Sequence, residues 1–391
     1  EYGRGERSGR RRPPGECARV MKVLNVCTQM EAGGAQQIAH LLFRHLPRYG
    51  HETGLIFLYT RRPVFAEHGN VISLCPRPPA GLEYLRIFQE LWRLIRRERP
   101  DAVITHTHYS NALVQPIAFC LRIPVRIAVH HGLLDKQPVA ARWIDRLNGA
   151  LGIYTSFVAV SREVMRGARR YPQRYRKRGR VIPNAVDVPG CPPETPSTGL
   201  PPGLPLVVAV GRLSPEKDHA LLLHAMQCVK RAALLVIGEG PERAHIERLI
   251  SELGLQERVR LAGEIDRSSL WSLLCRAEAL VLPSRHEAMP LVLIEALLAG
   301  VPVVAADIPA VREALAGPED EPAGVLVAER RPEVFAAGIR RVLEDSGFSS
   351  SLKQAAKRVA GRYSLDAMID EYNAALNSAP SGREQEPTTP E

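Results

Sequence analysis

Short apolar runs alternate with amphipathic segments along this chain, and the alternation occurs twice. In the first half the apolar runs predict strands at 23–27, 54–59, 71–74, 102–106, 126–130 and 157–160, with helices between most of them, as at 35–47, 82–98 and 110–121. In the second half they predict strands at 206–210, 233–237, 260–262, 279–282, 301–305 and 324–327, with helices such as 218–229, 241–253 and 266–276, and late helices at 332–344, 350–361 and 364–376. Strands that alternate with helices are typical of a parallel sheet covered by helices on both faces.

A Pro-rich stretch separates the two halves. Eight prolines fall between Pro183 and Pro205, which favours a linker, and 391 residues exceed one ordinary hydrophobic core. We therefore predict an α/β fold of two Rossmann-like parallel-sheet domains that face a central cleft. The expected divisions are a disordered basic extension at 1–20, an N-terminal domain at 21–185, a linker at 186–205, a C-terminal domain at 206–362, a C-terminal helix at 363–377 that packs back on the N-terminal domain, and a disordered tail at 378–391.

The cysteines and the apolar runs indicate the compartment in which the protein is expected. The seven cysteines are scattered without C-x-x-C spacing, which argues against a zinc site and a disulfide framework and fits a reducing cytosol. No apolar run is long enough to span a bilayer, and residues 1–20 have no apolar core of a secretory signal. We expect a cytoplasmic protein.

Charge is distributed unevenly. Residues 21–190 contain 25 Lys and Arg against 11 Asp and Glu, whereas residues 191–391 contain 21 against 28. The densest basic run is 166–180. This asymmetry indicates an anionic partner for the first half, either an anionic membrane surface at the inner face of the cell membrane or a phosphate-bearing acceptor. A solvated surface loop is the alternative, and without a recognisable nucleic-acid motif we predict no nucleic acid as partner.

Two carboxylates, Glu287 and Glu295, follow the predicted strand at 279–282. Glu287 is expected on the loop at the strand's carboxyl end and Glu295 on the helix behind it, at the edge where open parallel sheets bind ligands. Carboxylates only accept hydrogen bonds, so a pair of them suits neighbouring sugar hydroxyls. The alternative is that each merely complements a helix dipole.

Cations and glycines lie at the ends of other predicted strands. Gly211 and Arg212 follow the strand at 206–210, with Lys217 close behind. Arg and Lys are suited to holding the oxygens of a diphosphate, although here they could instead pair with neighbouring Glu216 and Asp218.

The first domain offers weaker signals. Gly33 and Gly34 open a helix after the first strand, where backbone N–H groups can approach an anion. The stretch lacks the G-x-G-x-x-G pattern, which argues against a nucleotide-dependent oxidoreductase. His131 precedes a glycine at a strand end, where a packing role and a functional role are both open, and His106 and His108 could line the acceptor side. Their spacing matches no metal-ligand signature, so we predict no metal.

Together these segments resemble the retaining glycosyltransferases of the GT-B fold, family 4, from about Val23 to Tyr372. The resemblance is carried by Gly-Arg-Leu…Glu-Lys at 211–217, Gly-Glu-Gly-Pro at 238–241 and the two glutamates with seven residues between them. It implies that the N-terminal domain binds the acceptor and the C-terminal domain the nucleotide-sugar donor. It also implies contacts from Glu287 to the sugar hydroxyls, from Glu295 to the ribose, and from Arg212 and Lys217 to the diphosphate.

The resemblance also implies roles for the first domain. Gly33 and Gly34 would lie near the donor phosphates, and His131 would approach the reacting sugar. Two departures are Ala288, where many members have glycine, and Ala185 after Asn184, where the linker motif of the family has glycine. The remaining expected donor-binding residues are Gly211, Gly238, Ala288, Met289 and Leu291.

The expected function is transfer of a hexose or amino-hexose from a nucleoside-diphosphate sugar to a lipid-linked or polysaccharide acceptor in cell-envelope glycan biosynthesis. The resemblance implies retention of configuration, and no Asp-x-Asp pattern occurs, so neither metal nor other cofactor is expected. Alternatives are a phosphorylase or an epimerase acting on the same donor, a Rossmann oxidoreductase, or a non-catalytic protein that binds membrane or nucleic acid.

Overall fold

A computed structural model describes residues 20–65, 69–192, 196–317 and 322–378. The predicted disordered segments at 1–20 and 378–391 therefore lie outside the described residues, apart from Val20 and Ser378.

The first domain is built on seven parallel strands in the order β3-β2-β1-β4-β5-β6-β7. The strands are β1 Lys22–Met30, β2 Glu52–Thr60, β3 Val71–Ser73, β4 Ala102–Thr105, β5 Val125–His130, β6 Ser156–Ala159 and β7 Gly179–Val181. The sequence pattern did not predict β7. It is only three residues long, and it follows the basic run without an apolar run of its own.

Six helices belong to this domain: α1 Gly34–His45, α2 Glu83–Glu98, α3 His108–Cys120, α4 Val139–Leu151, α5 Arg162–Gly167 and α6 Gln173–Arg176. Helix α3 begins with a capping box, in which Thr107 and Ser110 satisfy each other's backbone N–H groups. α2 packs against α3, and α3 against α4, so these helices share one face of the sheet.

The second domain has six parallel strands in the order β10-β9-β8-β11-β12-β13. They are β8 Leu206–Val210, β9 Ala233–Ile237, β10 Val259–Gly263, β11 Ala279–Leu282, β12 Val303–Ala306 and β13 Val325–Val327. The helices are α7 His219–Cys228, α8 Arg243–Glu252, α9 Arg267–Arg276, α10 Leu291–Ala299, α11 Pro309–Leu315, α12 Pro332–Glu344, α13 Ser346–Ala360 and α14 Leu365–Asn377.

Both sheets confirm the predicted α/β fold class. The central strands β4, β6, β9, β11 and β12 are buried along their whole length, as expected when helices cover both faces of a parallel sheet. In such a sheet every strand ends at the same edge, so the loops that follow the strands gather there.

The two carboxyl edges face each other across the cleft. Contacts between the domains join Arg62 with Glu264, the Asn184 side chain with the Met289 carbonyl, and the Gly34 backbone with the Leu291 side chain. At the rear, α14 lies on the first domain, where Asp366 pairs with Arg48 at 3.0 Å and Asn373 meets His51 at 2.9 Å.

One cysteine expectation is wrong. Cys191 and Cys275 form a disulfide across 84 residues of sequence, with their Cα atoms 5.8 Å apart. Cys spacing could not reveal this pair, because the fold brings the linker onto α9. There the Trp271 indole donates to the carbonyl of Gly190 at 3.3 Å.

The basic run at 166–180 is not a simple loop, although most of its cations are exposed to solvent. It includes the end of α5, all of α6 and the start of β7. The side chains of Tyr171 and Tyr175 are buried beneath it and anchor it to the domain. Its cations are thereby held on an ordered surface.

Candidate functional site

Three loops of the second domain are hydrogen-bonded side by side at the carboxyl edge. The N–H of Gly211 donates to the Ile237 carbonyl at 3.0 Å, and the N–H of Gly238 donates to the Gly263 carbonyl at 2.8 Å. Gly238 adopts φ +139°, and a Cβ there would lie 2.0 Å from the carbonyl oxygen of Gly211. Only glycine permits this close approach, so the loops form one rigid shelf.

Lys217 and Glu287 form the central ion pair of this shelf. The Lys217 Nζ lies 2.5 Å from Glu287 Oε1, and the two side chains are 21% and 8% exposed. The lysine stem lies across Gly211, because an added Cβ at that glycine would come within 3.3 Å of it. The ammonium group therefore bridges the loops that follow β8 and β11.

The pairing alternative considered for Arg212 and Lys217 is wrong. Asp218 pairs instead with Arg285 at 2.9 Å and with Arg330 at 2.5 Å. Arg330 also donates to the carbonyls of residues 283 and 284, which ties the two loops together. Arg212 is exposed at the mouth of the shelf, and within the described chain no carboxylate lies within ion-pair distance of its guanidinium.

Glu295 lies on α10 behind the shelf and is only 4% exposed. Its Oε1 accepts a hydrogen bond from Arg267 Nη2 at 2.7 Å. Burial raises the pKa of the Glu295 carboxyl, and the Arg267 guanidinium opposes that rise. A buried carboxylate with one partner still has free lone pairs to accept hydroxyl hydrogen bonds.

Sequence reasoning missed Arg267. It is the first residue of α9, after the Asp266 N-cap that accepts the Ser269 N–H at 2.9 Å. The signal was present, because an arginine close behind a strand end faces the same sheet edge as Glu295. The sequence does not show that α9 and α10 lie next to each other.

The loop after β1 faces the shelf from the first domain. Gly33 and Gly34 are exposed there, and a Cβ on Gly34 would lie 3.6 Å from the side chain of Leu291. Ala288 and Met289, which precede Leu291, are buried at 8% and 7% exposure. The Gly-Gly turn and the 288–291 segment therefore lie close together across the domain boundary.

His131 directly follows β5 and takes part in a short polar chain. Its Nε2 lies 3.3 Å from His106 Nδ1, and His106 Nε2 lies 3.2 Å from Asn25 Oδ1. The amide oxygen can only accept, so His106 Nε2 carries the proton, its Nδ1 accepts, and His131 Nε2 donates. Burial lowers the pKa of His131 to about 3, so its Nδ1 keeps a free lone pair.

The other histidines separate into different roles. His130 is 2% exposed and contacts the Tyr175 hydroxyl at 2.6 Å, beside buried Asp145, so it belongs to the core. His108 is half-buried at the start of α3, and burial lowers its pKa. Among the described residues no group of three or more His, Cys, Asp or Glu side chains has the arrangement of a metal site.

Asn184 lies where the first domain ends and the chain passes into the linker, a point that we call the hinge. Its backbone N–H contacts the Met289 sulfur at 3.3 Å, and its amide reaches the Met289 carbonyl at 3.5 Å. The hinge therefore touches the segment that follows Glu287 directly. A domain movement at Asn184 would shift this wall of the cleft.

The arrangement has two chemically different halves. The second domain presents exposed cations and two hydroxyl-accepting carboxylates, which suit a diphosphate attached to two sugars. The first domain presents a glycine turn and a neutral histidine acceptor.

Comparison with known families matches both halves of the chain. The model described as Glycosyltransferase Family 4 matches residues 32–188, and the model described as Glycosyl transferases group 1 matches residues 193–359. Within the described helices, none is long and apolar enough to cross a membrane.

Individual relatives give a consistent picture. An alpha-D-kanosaminyltransferase of Streptomyces kanamyceticus is 31% identical over 43% of this chain, and the match spans only 44% of that protein. A 2-deoxystreptamine glucosyltransferase of the same organism is 29% identical over 70% of this chain and 77% of its own length. The crystal structure of Anabaena Alr3699/HepE in complex with UDP and glucose superimposes with a TM-score of 0.77 at 19% identity, covering 92% of this chain and 100% of that chain.

Proposed function

Since this chain belongs to the GT-B glycosyltransferases, we propose that it transfers a hexose or amino-hexose from a nucleoside-diphosphate sugar to a lipid-linked or polysaccharide acceptor. The expected setting is cell-envelope glycan biosynthesis. The observation that carries the proposal is the shelf, where Arg212, Lys217 and Glu287 lie at one sheet edge with Glu295 on α10 behind them.

In this proposal Arg212 and Lys217 hold the diphosphate. Each cation contributes about 4 kcal/mol before desolvation at ~4 Å and an effective dielectric constant near 20. Lys217 would turn from Glu287 toward the phosphate oxygens as negative charge develops on them. That interaction strengthens in the transition state, which is the requirement for catalysis rather than for binding alone.

The carboxylates would hold the two sugars. Glu287, released from Lys217, accepts hydrogen bonds from the transferred sugar, and Glu295 accepts them from the ribose. Arg267 favours the ionised form of Glu295 in its buried position, because the adjacent guanidinium opposes the rise in pKa that burial causes.

Retention is proposed to follow from attack on the face that the diphosphate leaves. The acceptor oxygen bonds to the anomeric carbon, the bond from that carbon to the diphosphate breaks with its electron pair, and the acceptor proton passes to the departing phosphate oxygen. His131 Nδ1 would accept a hydrogen bond from the sugar and fix its orientation. The Arg and Lys side chains supply the positive charge, so the proposed reaction is independent of metal.

The proposed location is the cytoplasm, with peripheral contact of the basic first domain with an anionic membrane. In that reducing compartment the Cys191–Cys275 disulfide would be expected in its thiol form. No role in nucleic-acid binding is proposed. The strongly basic surface and the half of the chain predicted to bind the acceptor coincide, which supports an acceptor held at a membrane.

A thermal-shift screen against UDP, GDP and ADP sugars tests the donor assignment. We expect one nucleotide class to stabilise the protein, Glu287→Gln and Lys217→Ala to abolish turnover of that donor, and the surface variant Arg358→Gln to retain it. EDTA should leave turnover unchanged, and NMR of the product should show the donor's anomeric configuration. Stabilisation by none of the sugars contradicts the proposal, as does release of an epimer or turnover that requires orthophosphate.

A further inference from the structure

Helix α4 presents an apolar surface to solvent. Its exposed side chains are Val139, Trp143, Ile144, Leu147 and Leu151, which are between 42% and 62% exposed. Their spacing of about four residues places them along one face. We call this set the α4 ridge.

The opposite face of the same helix is polar and buried. Asp145 is 2% exposed and accepts hydrogen bonds from the hydroxyls of Tyr154 at 2.8 Å and Tyr175 at 3.2 Å. Asn148 is also buried and donates to Tyr154. A helix on a sheet ordinarily buries its apolar face, so α4 has the reverse orientation. An apolar ridge of this size indicates an interaction surface.

Arginines border the ridge. The Arg146 guanidinium lies 5.2 Å from the Trp143 ring and 5.3 Å from the Tyr171 ring, and it donates to the Arg170 carbonyl at 2.6 Å. Gly149 allows α6 to pack closely, since a Cβ there would overlap the ring of Tyr175. These contacts place the basic segment 162–178 directly beside the ridge.

The basic segment also contains a cavity of about 420 Å³, lined by Arg162, Met165, Arg166, Ala168, Arg169 and Arg176. Across 139–151 and 162–178 the sequence has ten Lys and Arg against two acids. One acid is the buried Asp145, and the other, Glu163, is paired with Arg166 at 3.0 Å. The exposed charge of these two segments is therefore almost entirely positive, and the nearby carboxylates outside them are Asp135 beside Arg142 and Glu313 at the start of α5.

We propose that the α4 ridge and its arginine border dock in the plane of an anionic lipid bilayer. Apolar side chains would enter the boundary between headgroups and acyl chains, and the arginines would meet lipid phosphates. A second copy of the chain fits poorly, because a symmetric contact would bring two strongly positive surfaces together.

The place of the ridge in the chain indicates how membrane docking would serve the proposed reaction. Val139, at the start of α4, follows His131 by only eight residues, so the ridge begins close in sequence to a residue of the candidate site. This part of the inference rests on the proposed function, because docking would bring the acceptor side of the cleft to a lipid-linked substrate. The docking itself is testable without any donor or acceptor.

The test uses the full chain with Trp92→Phe and Trp271→Phe, which leaves Trp143 as the single tryptophan. Vesicles of phosphatidylcholine, with or without phosphatidylglycerol, carry lipids brominated on the acyl chain. We expect Trp143 fluorescence to be quenched only by the anionic vesicles, and the quenching to decrease at high salt. Absence of quenching with anionic vesicles overturns the proposal, whether or not the protein turns over a nucleotide sugar.

Variants locate the surface. Leu147→Gln should lower the vesicle partition coefficient about tenfold, and Arg169→Gln about fivefold. The matched controls Leu298→Gln and Arg358→Gln, on the other domain, should leave it unchanged. Equal losses in the controls overturn the assignment, as does a dimer in sedimentation that Leu147→Gln dissociates.

Discussion

Replacing Arg267 with methionine tests how the buried Glu295 is held. The 2.7 Å contact between them corresponds to about 6 kcal/mol of gross attraction at an effective dielectric constant of 20. Removing one partner of a fully buried pair costs about 3–5 kcal/mol. Because the Arg267 side chain is 40% exposed, we expect Arg267→Met to lower the free energy of unfolding by about 2–3 kcal/mol.

Glu295→Gln should behave differently. Its ionised carboxylate is costly to bury, so removing the charge should change the free energy of unfolding by less than about 1 kcal/mol. Donor binding should still weaken, because a hydrogen bond to a charged group contributes about 1.5–3 kcal/mol, or roughly 10- to 150-fold in Kd. Glu295→Gln is therefore expected to weaken donor binding while it leaves the free energy of unfolding nearly unchanged.

The dependence on pH follows from the direction of the pKa shift. Folding raises the pKa of Glu295, so this group stabilises the folded state fully below its unfolded pKa, and that contribution is lost as pH rises through the folded pKa. Relative to Glu295→Gln, wild type should lose stability as pH rises above the ordinary glutamate value of 4.5. Arg267→Met should raise the pKa of Glu295 further, so the loss of stability should extend over a wider range of pH.

Urea denaturation from pH 4.5 to 8 and calorimetric titration with the nucleoside diphosphate identified in the screen provide the measurements. The double variant Arg267→Met/Glu295→Gln should recover most of the stability lost in Arg267→Met, and the exposed Arg358→Met should serve as the control. The reasoning is refuted if Arg267→Met is as stable as wild type at pH 7.5, or if the double variant is no more stable than Arg267→Met.

Three further predictions concern other parts of the molecule. Lys217→Ala should lower turnover about 100- to 1000-fold in a donor-hydrolysis assay, whereas the exposed Lys230→Ala should not; near-normal turnover would remove the lysine from the mechanism. Gly238→Ala should lower the free energy of unfolding by about 3 kcal/mol, as measured by urea denaturation, because its Cβ would lie 2.0 Å from a backbone oxygen. The control Gly361→Ala should change the free energy of unfolding by less than about 1 kcal/mol, because a Cβ at Gly361 meets open space. Cys191→Ser should lower the free energy of unfolding by up to about 4–5 kcal/mol, because the disulfide closes a loop of 84 residues. A reductant should have the same effect on wild type but none on the variant.

The sequence predicted much of the fold because its signals are local. An apolar run of four to six residues followed by an amphipathic segment specifies strand and helix without reference to distant residues. Strands β8, β9 and β11 lie where their apolar runs predicted them. By contrast, β7 was missed, since it is only three residues long and its sequence Gly-Arg-Val contains no apolar run.

The sequence also placed the candidate residues on one edge. Once strands are parallel, each strand end points to the same side, so Gly211, Gly238 and Glu287 had to gather there. Their proposed chemical roles remain predictions that the variants above test.

Only the tertiary structure decided which groups meet. Lys217 and Glu287 are 70 residues apart and pair because β8 lies beside β11, which is a matter of strand order. The pairing of Arg267 with Glu295 likewise depends on how α9 and α10 pack together, and the sequence has no local signal for that packing. The disulfide at Cys191 depends in the same way on where the linker lies. Chain composition sets which side chains are available, but long-range packing sets their partners, and with them the pKa values of the site and the exposure of Arg212.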